Sequence, residues 1–184
     1  MKRALLLVDI QNDYFTGGAM PLVGMETAAG KASGLLELFR DRSEPVFHVR
    51  HISKRPGATF FLPGTKGVEI HPAVEPLSAE PVITKGFPNS FRGTNLQDLL
   101  KKADVGRLVI CGAMSHMCID ATVRAAFDLG FQCTVVEDAC ATRNLSFKGE
   151  SVPAWAVHGA FMAALQGIYA EVVSADGFMA SAQG

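Results

Sequence analysis

The stretch RLVICGAMSHMCIDATVRAAFDLG, residues 107–130, carries the pattern from which the fold can be predicted. After its leading arginine the first part is apolar, which is typical of a strand buried on both faces. From Ser115 onward the segment predicts a helix, which the glycine at position 130 ends. A strand followed directly by a helix is the building unit of an α/β fold.

The same alternation continues along the rest of the chain. The patterns predict further strands at residues 3–10, 45–52, 81–86, 132–139 and 170–175, and further helices at residues 25–42, 94–103 and 152–168. Thr94 is the expected N-cap of its helix, and Pro153 lies in the first turn of the last one. Residues 53–81 are rich in glycine and proline and predict a long loop, which in a compact domain is usually functional. We therefore expect one α/β domain, residues 1–184, with helices on both faces of a parallel sheet.

Composition limits the function classes. Hydrophobic residues make up 48% of the chain and charged residues 19%, and the formal net charge is −1. No basic run is present to neutralise phosphates, so we expect no nucleic acid and no membrane surface as partner. No apolar run approaches the roughly 18 residues that span a bilayer, and no signal peptide is evident. The four cysteines include no CxxC pair, which favours a cytoplasmic protein with reduced thiols.

Three chemically active side chains are expected at one edge of the sheet, because ligands of α/β sheets bind at the carboxyl ends of the strands. Asp9 follows the first strand, Lys85 ends the strand at 81–86, and Cys118 lies in the first turn of a helix. Taken singly, they could be a turn former, a solvated lysine and a small core residue. If Ser115 is the N-cap, Cys118 lies at the third helical position, where the helix dipole favours a thiolate.

The segments LLLVDIQNDYF, VITKGFPNSFRGTNL and LVICGAMSHMCIDATVRAAFDLGF, followed by VEDAC, resemble the isochorismatase-like cysteine hydrolases. The resemblance extends over residues 4–173, and the D-x-Q-x-D start and the G-x-x-(S/T)-x-x-C turn together are its specific motifs. It implies a three-layer αβα sandwich with a six-stranded parallel sheet. It also implies a homo-oligomer, a dimer or a tetramer, and Trp155 is a candidate interface residue.

The resemblance implies that Asp9, Lys85 and Cys118 form a catalytic set. It also implies a non-proline cis peptide between Ala113 and Met114, which would aim the Met114 amide so that the N–H groups of Met114 and Cys118 form an oxyanion hole. The expected activity is hydrolysis of a small-molecule amide, ureide or carbamoyl compound through a thioester.

Two histidines bear on the substrate. Family members that hydrolyse nicotinamide carry an Asp-x-His metal motif after the second strand, where this chain has VFHVRHISKRPG. His48 and His51 are three residues apart in an extended segment and so point to opposite faces. We therefore expect no metal and no cofactor, and nicotinamide is disfavoured as substrate. The turn GAMSHMCIDAT is most similar to streptothricin-hydrolase-like and uncharacterised members.

Two alternative functions stay open from the sequence. One is hydrolysis of a vinyl ether, as in isochorismatase, which does not need the thiol. The other is a non-enzymatic redox or binding protein in which Cys118 is a sensor thiol.

Several residues near the motifs are candidate substrate-binding groups: Gln11, Phe15, Phe87, Phe91 and His116. Gln11 and Asp13 either orient Asp9 or cap the turn, the aromatics either line a pocket or belong to the core, and His116 either faces the substrate or faces solvent. His158 and the remaining cysteines are expected to be structural.

Overall fold

The computed structural model describes residues 1–182, and its centre is a parallel sheet of six strands. The strands of the chain are β1 (Lys2–Val8), β2 (Val46–His51), β3 (Val82–Lys85), β4 (Val105–Ala113), β5 (Gln132–Ala141), β6 (Leu145–Phe147), β7 (Glu150–Val152) and β8 (Glu171–Val173). The helices are α1 (Met25–Asp41), α2 (Leu96–Lys102), α3 (Asp120–Asp128), α4 (Ala154–Leu165) and α5 (Ala175–Ala182).

The sheet has the order β3-β2-β1-β4-β5-β8, which places β1 and β4 at its centre. Both central strands are apolar because helices cover both of their faces, and residues 4–8 of β1 are at most 2% exposed. All neighbouring strands are parallel, so their carboxyl ends meet at one edge. The predicted six-stranded parallel α/β sheet is confirmed.

The order of the strands reverses direction at β1, and this reversal creates the position for a site. The chain moves from β1 through α1 toward β2, and from β4 through α3 toward β5, in opposite directions. Right-handed crossovers then place α1 and α3 on opposite faces, with α5 against α1 and α4 against α3. Ligand sites in such sheets lie where the strand order reverses, at the carboxyl ends.

Local differences from the sequence-based expectation have physical causes. α2 begins at Leu96 with Asn95 before it, so the predicted N-cap at Thr94 is wrong, although its hydroxyl accepts the Leu96 N–H at 3.4 Å. Pro153 directly precedes α4, and the side chain of Asn144 accepts the first amide of the helix, that of Ala154, at 2.8 Å.

A hairpin of two strands and one helix were not predicted from the sequence. The strands β6 and β7 pair as an antiparallel hairpin of three residues each, too short for a hydrophobic pattern. Their turn places Lys148 and Gly149 at φ 52° and 84°, the two left-handed positions of a tight hairpin. The other new element is α5. The long loop at 53–81 contains only two short 3₁₀ turns. None of the described helices has the length and apolar character needed to cross a membrane.

Candidate active site

Asp9 is the first residue after β1, and its side chain is fully buried. Its backbone is left-handed, with φ 54°, and its N–H donates to the Val49 carbonyl at 2.9 Å. A non-glycine residue rarely adopts this conformation, which costs on the order of 1 kcal/mol or more. The turn therefore holds the carboxylate at the carboxyl edge of the sheet, beneath the point where the strand order reverses.

Lys85 ends β3, and its ammonium is buried in contact with three acceptors. Its Nζ donates to Asp9 Oδ2 at 2.7 Å and to Cys118 Sγ at 3.2 Å, and it lies 3.1 Å from His51 Nδ1. An ammonium has three N–H donors, so these three contacts satisfy it completely. The structure therefore brings together the three residues that the sequence predicted, with Lys85 between the other two.

Cys118 lies in a π-helical turn, Ser115–Ile119, that joins β4 to α3. Met114, not Ser115, occupies the N-cap position, and its carbonyl accepts the amides of Met117 and Ile119. The hydroxyl of Ser115 instead lies 2.9 Å from Nδ1 of His158 and does not cap the helix. The expected N-cap was wrong because the chain leaves its extended conformation one residue earlier.

The backbone just before this turn is unusual. The peptide bond between Ala113 and Met114 is cis. Gly112 has φ 125°, and a Cβ atom at this position would lie 2.0 Å from the carbonyl oxygen of Val8. Glycine is therefore required here, because the end of β4 passes directly against the end of β1, next to Asp9.

The thiol of Cys118 is 5% exposed, and its environment favours the neutral form. Burial raises its pKa well above the usual value, and the neighbouring Asp9 carboxylate raises it further, while Lys85 acts in the opposite direction. Burial and Asp9 therefore oppose the stabilisation of a thiolate that the sequence predicted from the helix dipole. A thiol whose pKa is raised in this way needs a base when it reacts.

Asp9 can serve as that base. Oδ2 accepts from Lys85, while Oδ1 is buried and has no hydrogen-bond partner among the described residues. A carboxylate oxygen of Asp9 and the Cys118 sulfur lie within 4.8 Å of each other. A buried acceptor without a donor is costly, and a proton from the thiol would satisfy it.

His51 is a member of the site that sequence reasoning considered only as a metal ligand. It ends β2 and is in register with Lys85 at the end of β3, so both side chains project from the same edge. Burial lowers its pKa, and the Lys85 ammonium lowers it further, so the ring is neutral. Because Nδ1 faces an N–H donor, the ring proton is on Nε2. The register of the two strand ends was the signal that could have identified it.

His48 points away from the site, as the extended spacing predicted. Its Nε2 lies 2.9 Å from Glu80 Oε2, which also binds Arg40. Asp9, His51 and Cys118 present donor atoms within 4.8 Å of one another, a set that would suit a metal ion. However, the Lys85 ammonium is hydrogen-bonded to all three, so their lone pairs already face a cation that belongs to the chain.

A cavity of about 620 Å³ opens above Lys85 and Cys118. Aromatic side chains contribute to its walls: Tyr14, Phe87 and the loop residues Phe60 and Phe61. This volume and this combination of apolar and polar side chains are typical of a small-molecule site. The 53–81 loop therefore contributes directly to the cavity.

Of the five candidate binding residues, the structure places only Phe87 in the lining of the cavity. The side chain of Phe15 stacks on His71 with ring centroids 3.6 Å apart, and Phe91 packs near Phe131. His116 Nδ1 lies 2.6 Å from the Thr142 hydroxyl. These three side chains have partners outside the cavity because their turns direct them into the surrounding packing.

Gln11 and Asp13 hold the 53–81 loop in place through hydrogen bonds. The amide of Gln11 donates to the carbonyls of His51 and Val68, and its oxygen accepts the His51 N–H at 2.7 Å. Asp13 Oδ2 accepts the backbone N–H of Phe61 at 2.6 Å. Both residues are buried, so they fix the cavity wall and do not reach into the cavity.

Comparison with known proteins agrees with this geometry. Residues 3–174 match the isochorismatase domain family. The chain is 54% identical over 179 residues to the uncharacterized isochorismatase family protein YddQ of Bacillus subtilis, covering 97% of this chain and 99% of YddQ. A crystal structure of an isochorismatase-type protein from Oleispira antarctica is 52% identical with a TM-score of 0.94, covering 97% of this chain and 96% of the other. A streptothricin hydrolase from Streptomyces noursei is 36% identical over 143 residues, which are 78% of this chain and 51% of that protein. The chain therefore belongs to the isochorismatase family of hydrolases.

Proposed function

We propose that the protein is a cysteine hydrolase that cleaves the C–N bond of a small-molecule amide, ureide or carbamoyl compound. One observation carries the proposal: a buried ammonium binds both the Asp9 carboxylate and the Cys118 sulfur at the floor of a cavity. Two relatives of moderate identity support the C–N bond as target. They are a nicotinamidase from Escherichia coli, 28% identical, and a maleamate amidohydrolase from Pseudomonas putida, 31% identical.

Acylation would begin with proton transfer from the thiol to the unpartnered Oδ1 of Asp9. The sulfur attacks the substrate carbonyl carbon at the same time, because a free thiolate is unfavourable in this buried site. Lys85 stays within hydrogen-bond distance of both partners and stabilises the negative charge as it moves from carboxylate to sulfur. The C–N bond then breaks, the amine leaves with the proton held by Asp9, and a thioester on Cys118 remains.

Deacylation would use the same groups in reverse. Asp9 accepts a proton from water, the resulting hydroxide attacks the thioester carbonyl, and the proton returns to the sulfur as the acid is released. Each half-reaction moves one proton through Asp9, so the enzyme returns to its starting protonation state.

The oxyanion hole belongs to the proposal as well. The turn between β4 and α3 brings the backbone of Met114 and Cys118 to the cavity, and both residues line it. The resemblance to the family implies that these N–H groups would donate to the carbonyl oxygen of the substrate. Two such donors would stabilise the negative charge of the tetrahedral intermediate.

We also propose that the chain folds as one domain over residues 1–184 and assembles as a homo-oligomer, a dimer or a tetramer, through α4. This helix has no Asp, Glu, Lys or Arg. Its Trp155 is 79% exposed, and Ile168, which follows the end of the helix, is 71% exposed. Large apolar side chains exposed together commonly mark a protein–protein interface. The four unpaired thiols fit the reducing cytoplasm.

The test is ammonia release from a panel of primary amides, ureides and carbamates. Cys118→Ala should abolish turnover, while Cys133→Ala, which removes a thiol far from the cavity, should retain it. Turnover by Cys118→Ala would overturn the thiol mechanism and favour acid catalysis as in vinyl-ether hydrolysis. A sensor protein would show no turnover and only oxidised forms of Cys118.

A further inference from the structure

The mouth of the cavity carries an unbalanced set of positive charges. Lys54, Arg55 and Arg92 line it, while no Asp or Glu is among the residues that form its lining. None of these three side chains makes a salt bridge with a described residue. The whole chain has a formal net charge of −1, so this cluster is a local feature and does not reflect a general basic excess.

Arg92 is held in a defined position although it is exposed. Its guanidinium lies over the Phe87 ring, 3.8 Å from the ring centroid. Such stacking restricts the side chain while leaving the N–H groups at the edge of the guanidinium plane free to donate. Arginine held in this way is suited to bind a planar anion with two parallel hydrogen bonds.

The cavity therefore has two chemically different ends. At its floor, Cys118 and the Lys85 ammonium provide the nucleophile and its partner. At its mouth, the cationic groups have no carboxylate partner among the residues that the structure describes. Clefts lined by one sign of charge concentrate ligands of the opposite sign and orient them as they enter. A neutral substrate would use none of this charge.

We propose that the substrate is an anionic amide, ureide or carbamoyl compound, whose anionic group is bound by Arg92 with help from Lys54 and Arg55 while its scissile carbonyl lies at Cys118. A carboxylate is the smallest planar group that matches the guanidinium edge. The inference rests on the proposed C–N hydrolase function and adds to it the charge of the substrate and the residue that selects it.

The experiment compares matched pairs that differ only in the distal group: succinamate with succinamide, phthalamate with phthalamide, and N-carbamoylglycine with N-carbamoylglycinamide. For the pair that fits, kcat/KM of the wild type should be at least roughly tenfold higher for the anion, since each charge-assisted contact is strong. The preference should decrease as salt is raised, because the mouth is exposed to solvent.

Variants of Arg92 test whether this residue causes the preference for the anionic substrate. Arg92→Gln should lower the ratio of kcat/KM for the anionic substrate to kcat/KM for its neutral partner roughly tenfold or more. Arg92→Lys keeps the positive charge but loses the planar donors. Its preference for the anionic substrate should lie between those of the wild type and Arg92→Gln. Lys101→Gln, which removes an exposed positive charge on α2, is the matched control and should change neither value.

The outcomes separate the two claims. Hydrolysis of neutral amides without preference for their anionic partners, or equal loss for both partners in Arg92→Gln, would overturn the inference and leave amide hydrolysis standing. If the protein hydrolyses none of these compounds and no acyl adduct forms on Cys118, both the inference about substrate charge and the proposed hydrolase function are overturned.

Discussion

The buried pair of Asp9 and Lys85 predicts a specific pattern of stability in three variants. Both side chains are fully buried and their charged atoms are 2.7 Å apart. Replacing Lys85 by Met keeps the length of the side chain but leaves the Asp9 carboxylate without its cation. Replacing Asp9 by Asn keeps the shape but leaves the ammonium without its anion.

Removing one partner of a buried ion pair typically costs about 3–5 kcal/mol, because the remaining charge stays buried without compensation. For a chain of this length each kcal/mol lowers Tm by about 2–4 °C, so each single variant should melt about 6–20 °C below the wild type. The double variant Asp9→Asn/Lys85→Met has no buried charge at this point, and should lose less stability than either single variant. All three should lose amide hydrolysis.

Urea unfolding at pH 7, followed by circular dichroism, measures the three free energies of unfolding. If the double variant loses as much free energy of unfolding as the two single variants together, Asp9 and Lys85 do not interact as a buried ion pair. Measuring activity in parallel separates the loss of stability from the loss of catalysis, because the double variant should be folded but inactive.

Three further predictions concern residues around the site. Burial alone would raise the pKa of Glu80, but hydrogen bonds from Arg40, the Leu77 amide and His48 outweigh it and lower the pKa to about 2. Glu80→Gln should therefore lower the free energy of unfolding by roughly 2–3 kcal/mol at pH 7. This difference from the wild type should shrink as pH falls from about 4.5 toward 2, and urea unfolding at each pH measures it. A constant difference down to pH 2 would contradict this. His51→Leu removes one acceptor of the Lys85 ammonium and should lower the free energy of unfolding by about 1–3 kcal/mol. His51→Gln can still accept a hydrogen bond and should lower it less. Equal losses in the two variants would exclude the hydrogen bond as the cause. Trp155→Glu should reduce the mass of the particle measured by light scattering, and an unchanged mass would exclude α4 as the interface.

The sheet and the three central site residues could be predicted because they follow from simple patterns. Strands buried on both faces are apolar along their length, and parallel strands bring their carboxyl ends together. Asp9 and Lys85 stand at such ends, and Cys118 follows one across a short turn. The chain order therefore already determines that these groups meet.

Other features depend on packing that the sequence does not reveal. His51 joins the site through its register with Lys85, which requires knowing that β2 and β3 are neighbours. The burial that raises the pKa of Cys118 depends on the packing around it, and the loop at 53–81 that lines the same cavity has no periodic pattern. For the same reason Phe15 and Phe91, which lie near the motifs in sequence, contact other partners in space.

Detection of an acyl group on Cys118 during turnover tests the central claim most directly. The protein is mixed with an amide that it hydrolyses, quenched in acid within one turnover, and examined by peptide mass spectrometry. The peptide containing Cys118 should gain the mass of the acyl group, and hydroxylamine should remove it. Cys118→Ala should show neither adduct nor product. Product formation by Cys118→Ala, or an acyl group on another residue, would contradict the central claim.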